Sequence, residues 1–155
     1  MNSQVSDLQF EVCLGSTGSK WAAIWIVLDG TAFPESGWTD FPLTVLRWWV
    51  EAALELLHNR VGVVEWRFMD GPFWIEISKL GANNVRLKRQ TKAGPQTVQV
   101  GTVDVFCMAG QLVRAIRQIG ASRGEGRVSC VEIDALLADS RRLEALAPPD
   151  LGNLR

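Results

Sequence analysis

The sequence predicts an α+β fold, a mainly antiparallel sheet of about five to six strands with two to three helices packed on it. Three observations predict this. Polar and apolar residues alternate over 8–14, 63–78 and much of 97–106, the period of strands buried on one face. Two stretches, 41–59 and 107–122, instead repeat their apolar residues every three to four positions, the helical period. Short turns join successive strands, above all Asp70-Gly71, and such hairpins build antiparallel sheets. At 155 residues, 47% apolar and 21% charged, the chain has the size and composition of one folded domain. No repeat or low-complexity stretch divides it, and residues 148–155 read as a frayed tail.

Leu8, Phe10, Val12 and Leu14 alternate with Gln9, Glu11 and Cys13 as a half-buried strand. The loop GSTGSK leads to WAAIWIVLD, which is apolar on both alternations, as in a central strand covered on both faces. Gly30 to Thr39 reads as a long loop. Asp40 is the expected N-cap of the first helix, Phe41 to about Asn59, with Pro42 in the first turn and Gly62 as the breaker. The helix stripe is Leu43, Leu46, Val50, Ala53, Leu54 and Leu57.

VVEWRFMDGPFWIEIS then forms a hairpin. With Met69 opposite Pro72, Phe68 faces Phe73, Trp66 faces Ile75 and Val64 faces Ile77, all on one side. On the other side Arg67 faces Trp74, a cation–π geometry, and Glu65 faces Glu76, a like-charge pair. A reversal through Gly81 to Asn84 brings in VRLKRQ, with Val85, Leu87 and Arg89 inward and with Arg86 and Lys88 outward beside Glu76. Lys92-Ala93-Gly94-Pro95 is a turn. In TVQVGTVDVF the apolar phase shifts at Gly101, where a bulge is expected. The second helix runs from Cys107 to about Ser122 on Ala109, Leu112, Val113, Ile116 and Ile119, with Gln111, Arg114, Arg117 and Gln118 facing water. Val128 to Ile133 is a further strand or a loop. Asp134 is the expected cap of a last helix, ALLADSRRLEALA, which Pro148-Pro149 ends.

Charge is uneven. Residues 1–85 carry net −5, residues 86–127 net +6 and residues 128–155 net −2. Acidic and basic strands that neutralise each other within the sheet explain this. Two surface patches of opposite sign are the alternative. Cys13, Cys107 and Cys130 form no C-x-x-C pair and read as buried free thiols in a reducing compartment. The start MNSQVSDLQF has neither a basic nor an apolar stretch, so a cytoplasmic location without a signal peptide is expected. The longest apolar run, Trp21 to Leu28, falls short of the about 20 residues that cross a bilayer, so no membrane is expected as partner.

Candidate chemistry is sparse. GSTGSK lacks the phosphate-loop spacing and the following helix. Gly120-Ala121-Ser122-Arg123-Gly124 matches G-x-S-x-G, but a nucleophile elbow follows a strand and here a helix precedes it. His58, the one histidine, lies at a helix C-terminus, where its cation suits the dipole. Glu51 and Glu55 have the spacing of two metal ligands without an identifiable third. Arg114, Arg117, Arg123 and Arg127, with the Arg86–Lys92 cluster, lack both a basic domain and a nucleic-acid motif. The sequence therefore predicts no catalytic residue, no cofactor, no metal and no nucleic acid.

The informative pair is Trp48-Trp49. Adjacent helical residues point about 100° apart, so Trp49 flanks the apolar stripe while Trp48 falls near its opposite side, with Thr44, Glu51, Ala52 and Glu55. Either Trp48 is sandwiched beneath a second element, or it anchors a partner, as tryptophan does at binding hot spots. In the second case Glu51 and Glu55 complete a partner-binding face suited to a basic surface.

From WTDFPLTVLRWW to VEWRFMDGPFWIEI, residues 38–77, the chain resembles immunity-type proteins of polymorphic or contact-dependent bacterial toxin systems. That resemblance implies a cytoplasmic, non-enzymatic inhibitor that occludes the active surface of a cognate toxin domain, with no catalytic residues to transfer. The near-neutral charge departs from the strongly acidic pattern of many nuclease inhibitors and leaves the toxin's activity open. The expected function is thus protein binding by an immunity protein or antitoxin. A self-associating structural module, a homodimer through the Trp48 face, and an enzyme of unrecognised type are the alternatives.

Overall fold

The computed structural model describes residues 5–13, 22–92, 100–121 and 130–146. These form an α+β fold of two four-stranded antiparallel sheets and three helices. The strand count exceeds the expected five to six because two short strands lie in the stretch expected to be a loop. The first sheet comprises β1 (Leu8–Cys13), β2 (Ala22–Leu28), β3 (Thr31–Phe33) and β4 (Thr39–Asp40). β2 is central, with β1 on one edge and with β3 and β4 end to end on the other. Only one face of β2 is fully buried, through Ala22, Ile24, Ile26 and Leu28. Trp25 and Val27 on the other face are half-buried, so the expected cover on both faces is incomplete.

The chain continues as α1 (Pro42–Leu57), β5 (Val63–Arg67), β6 (Phe73–Leu80), β7 (Asn84–Thr91) and β8 (Val100–Asp104). β5 to β8 form the second sheet in sequence order. The hairpin register is the expected one: Val64 pairs with Ile77, Glu65 with Glu76, Trp66 with Ile75 and Arg67 with Trp74. Gly71, at φ +73°, makes the turn, and a Cβ there would meet the Phe73 ring at 3.0 Å. Two neighbours relieve the Glu65–Glu76 repulsion. Lys88 pairs opposite Glu76, and Arg67 bridges Glu65 while its guanidinium lies 5.3 Å from the Trp74 ring. This part of the charge asymmetry is neutralised within the sheet.

β8 pairs with β7 without a break in register, Lys88 with Val100 through Asn84 with Asp104, so the bulge expected at Gly101 is absent. Gly101 takes the inward phase with Val103. A Cβ on it would meet the Leu28 methyls at 2.8 and 2.9 Å, so the phase shift marks where β2 crosses closely. The Ser6 amide donates to the Thr102 carbonyl at 2.7 Å and joins the two sheets there.

The helices cover this framework. α2 (Val105–Ala121) starts two residues early because the Asp104 carboxylate accepts from the amides of Phe106 and Cys107, at 2.8 and 3.0 Å. Its expected stripe is buried. Of the strand or loop expected at 128–133, the described residues 130–133 belong to α3 (Cys130–Leu146), which places Asp134 inside the helix rather than at its cap. α3 packs on both α1 and α2. Cys13 and Cys107 are free but exposed, contrary to the buried thiols expected: Cys13 falls on the outward alternation of β1, and Cys107 in the first turn of α2. The GSTGSK loop, Ala93 to Pro95 of the turn, Ser122 to Gly124 of the serine motif, and the tail lie outside the described residues.

One hydrophobic cluster runs through both sheets and all three helices. Trp49 and Trp66 stack at its centre, their rings 5.5 Å apart. Each indole N–H has an acceptor: Trp49 Nε1 donates to the Arg67 carbonyl at 2.9 Å, and Trp66 Nε1 to the Trp49 carbonyl at 3.0 Å. Burying two large aromatics with their donors satisfied fixes α1 against β5.

Asp40 is not the N-cap. That position belongs to Phe41, with no side-chain cap. Asp40 is fully buried. Its carboxylate accepts from the amides of Phe41 at 2.8 Å, Met69 at 3.0 Å and Asp70 at 3.2 Å, and from Trp38 Nε1 at 3.4 Å. It thereby ties β4, the start of α1 and the β5–β6 turn together.

Candidate functional site

α1 is apolar over more of its circumference than the expected stripe. Val45, Leu46, Trp49, Val50, Ala53, Leu54 and Leu56 are buried, whereas Leu43 and Leu57 are only half-buried. Trp49 is 0% exposed and Trp48 is 39% exposed. The about 100° step between neighbours separates the two: one indole is core and the other looks outward.

On the Trp48 side, residues 48, 51, 52 and 55 follow one another at i, i+3, i+4 and i+7 and so share a face. With α3 alongside, that face forms an open groove of about 470 Å³. Trp48, Glu51, Ala52, Leu54 and Glu55 line it from α1, His58 and Arg60 from the segment after the helix, and Arg142 from α3. All three residues singled out in the sequence therefore meet in one place, and His58 joins them.

The electrostatics differ from a bare acidic face. Glu51 is paired with Arg47 at 3.5 Å, Glu55 with Arg60 at 2.9 Å, and Arg142 with Asp139 at 3.5 Å. The two glutamate pairs are largely exposed, and such pairs contribute at most about 1 kcal/mol each, whereas the Asp139 side chain is mostly buried beside its exposed Arg142. The rim is thus balanced in sign and its partners can be exchanged. Arg47 at i−4 from Glu51 is readable from spacing. Arg142 is not, because it arrives from a helix about ninety residues later in the chain.

His58 is exposed, and its amide donates to the Leu54 carbonyl at 2.9 Å as the helix closes. Asn59, at φ +56°, turns the chain out of the helix. Among the described residues no serine, threonine, cysteine, lysine or tyrosine lines the groove. Among the described residues no group of three or more His, Cys, Asp or Glu is placed to hold a metal ion. The groove offers one large aromatic contact, a small apolar floor at Ala52 and Leu54 and a mixed-charge rim, which is the composition of an interface patch.

The other candidates among the described residues do not converge, and Arg123 and Arg127 lie outside those residues. Arg114 and Arg117 are exposed on α2, and Arg117 is bridged to Glu144 of α3. Lys88 serves the sheet opposite Glu76, and Arg89 is half-buried with its guanidinium 4.7 Å from the Phe33 ring, where burial lowers its pKa. Gly120 lies in the last turn of α2 against Leu137, and the helix runs into the first two residues of the serine motif. No helix among the described residues is long and apolar enough to cross a membrane.

No known protein family, curated protein or solved structure matches this chain.

Proposed function

We propose that the protein is a non-enzymatic binding module, an immunity protein that neutralises a cognate bacterial toxin in the cytoplasm by occluding its active surface. The observation that carries this reading is the exposure of Trp48, 39%, on the rim of the α1–α3 groove. A tryptophan surrounded by exchangeable ion pairs has the make-up of a hot spot within a polar rim. The resemblance of residues 38–77 to immunity-type proteins supplies the class of partner.

The ion pairs refine the expected electrostatics. A basic surface meets Glu51 and Glu55 already partly neutralised by Arg47 and Arg60, so the carboxylates tune orientation and encounter, while the affinity resides in Trp48. The test uses the polypeptide encoded immediately upstream, produced as an inactive toxin domain, and titration calorimetry. Trp48→Ala is expected to weaken the complex by about 2 kcal/mol or more, with the unfolding midpoint of the free protein nearly unchanged. Affinity unchanged while the free protein loses stability sinks the proposal, because Trp48 is then a core residue.

A further inference from the structure

α3 buries one side against its own protein through Ile133, Leu136, Ser140 and Leu143. Its opposite side carries Val131, Ala135, Ala138, Arg142 and Ala145, all exposed and separated by 4, 3, 4 and 3 residues. Val131 is 76% exposed, more than any other large apolar side chain described. Four of the five are apolar, and an apolar 4-3-4-3 repeat is the seam of a two-helix contact; at 1.5 Å per residue it runs for about 21 Å. The apolar core does not need these positions, and Arg142, which also lines the α1–α3 groove, sets the seam beside the Trp48 face.

The charges beside the seam indicate what fits it. Asp134 and Arg141 flank it on one side, Glu132 and Asp139 on the other. Reversing the same helix about a two-fold axis at Ala138 sets Asp134 opposite Arg141 of the second copy, and Arg141 opposite its Asp134. Asp134 already has a partner in its own chain, so the arginine adds a contact to a carboxylate that can accept several. A parallel alignment sets Asp134 beside Asp139 of the second copy, a like-charge contact. In the antiparallel pair the two Asp139 side chains approach each other, but each is held by its own Arg142 at 3.5 Å. Alanine at the axis allows close approach, and Val131 closes each end of the seam over Ala145.

We propose that the outer face of α3 is a homodimer interface, two copies of this chain pairing antiparallel about Ala138. The test is sedimentation velocity of the full chain over a concentration series, with circular dichroism for the fold. The wild type is expected to shift from monomer to dimer as concentration rises. Ala138→Glu brings two carboxylates together on the axis and leaves monomer throughout. Asp134→Arg alone abolishes the dimer, and adding Arg141→Asp restores it. The double variant is decisive, because a merely disturbed helix would not be rescued by a second change. A wild type that stays monomeric overturns the proposal, as does a double variant that fails to dimerise. A dimer that survives Ala138→Glu and is lost in Trp48→Ala also overturns it, in favour of the α1 face.

Discussion

Asp40→Asn is nearly isosteric, so its effect isolates the hydrogen bonding of one carboxylate. Oδ1 accepts from Phe41 N–H, and Oδ2 accepts from Met69 N–H, Asp70 N–H and the Trp38 indole. An asparagine has one acceptor oxygen and one donor group. Turned its better way, the oxygen keeps the three donors on the Oδ2 side and the amide nitrogen confronts Phe41 N–H, donor against donor. The orphaned amide costs about 1–3 kcal/mol, and the three surviving bonds lose their charge assistance, roughly half their strength. Removing a buried charge offsets part of this. The expected net loss is about 2–4 kcal/mol, a large fraction of the about 5–15 kcal/mol that holds a domain folded. Asp40→Ala, which orphans three backbone amides, is expected to lose more than Asp40→Asn. Urea unfolding followed by tryptophan fluorescence measures both, with the m-value unchanged. Amide hydrogen exchange at Met69 and Asp70 should quicken in the asparagine variant. A loss below about 1 kcal/mol, or unchanged exchange at those amides, refutes the idea that this carboxylate holds β4, α1 and the hairpin turn together.

Two further outcomes are expected. Gly101→Ala drives a methyl into Leu28, whose methyls lie 2.8 and 2.9 Å from the ideal Cβ and which is itself buried; overpacking of this kind costs about 1–3 kcal/mol, and an unchanged unfolding midpoint contradicts the close crossing of β2 over β8. Burial, then the charge and hydrogen bond of Asp104, raise the Cys107 thiol above its ordinary pKa; in a Cys13→Ser, Cys130→Ser background its alkylation should therefore run slower than a free thiol's at mildly alkaline pH and keep climbing beyond the usual thiol range, and a plateau within that range contradicts this.

The elements most legible in the sequence are those whose partners lie nearby. The β5–β6 hairpin has a strict period of two and an Asp-Gly turn, so a slip of one residue would move Trp66, Phe68, Ile75 and Ile77 to the wrong face, and the register follows from that alone. Asp40 is the opposite case. A Ser, Thr, Asp or Asn before a helix is the usual cap, and nothing local reveals that its acceptors are used 29 and 30 residues away, by Met69 and Asp70. Gly101 misleads for the same reason: a phase shift can mean a bulge or a close approach, and Leu28 decides it from another sheet. At the start of α3, Val131 and Ile133 suggest a strand locally; only the continuation through Leu136, Ser140 and Leu143 reveals the helical period.

The same distinction governs the candidate site. Which way Trp48 points depends on the helical period of α1 alone, and so it was readable. What surrounds Trp48 depends on Arg60, after the helix, and on Arg142, from α3, and these convert an acidic face into a balanced one. The consequence for binding is specific. A face carrying free carboxylates would attract any basic surface and lose affinity steeply with salt. A face whose carboxylates are already paired carries little net charge, so each incoming cation gains little from it. Discrimination between partners then rests on the shape that accommodates the Trp48 indole, and the salt dependence of the complex should be shallow. A steep loss of affinity between low and physiological ionic strength in the titration would show that Glu51 and Glu55 attract the partner in spite of Arg47 and Arg60, and that charge rather than the indole selects it.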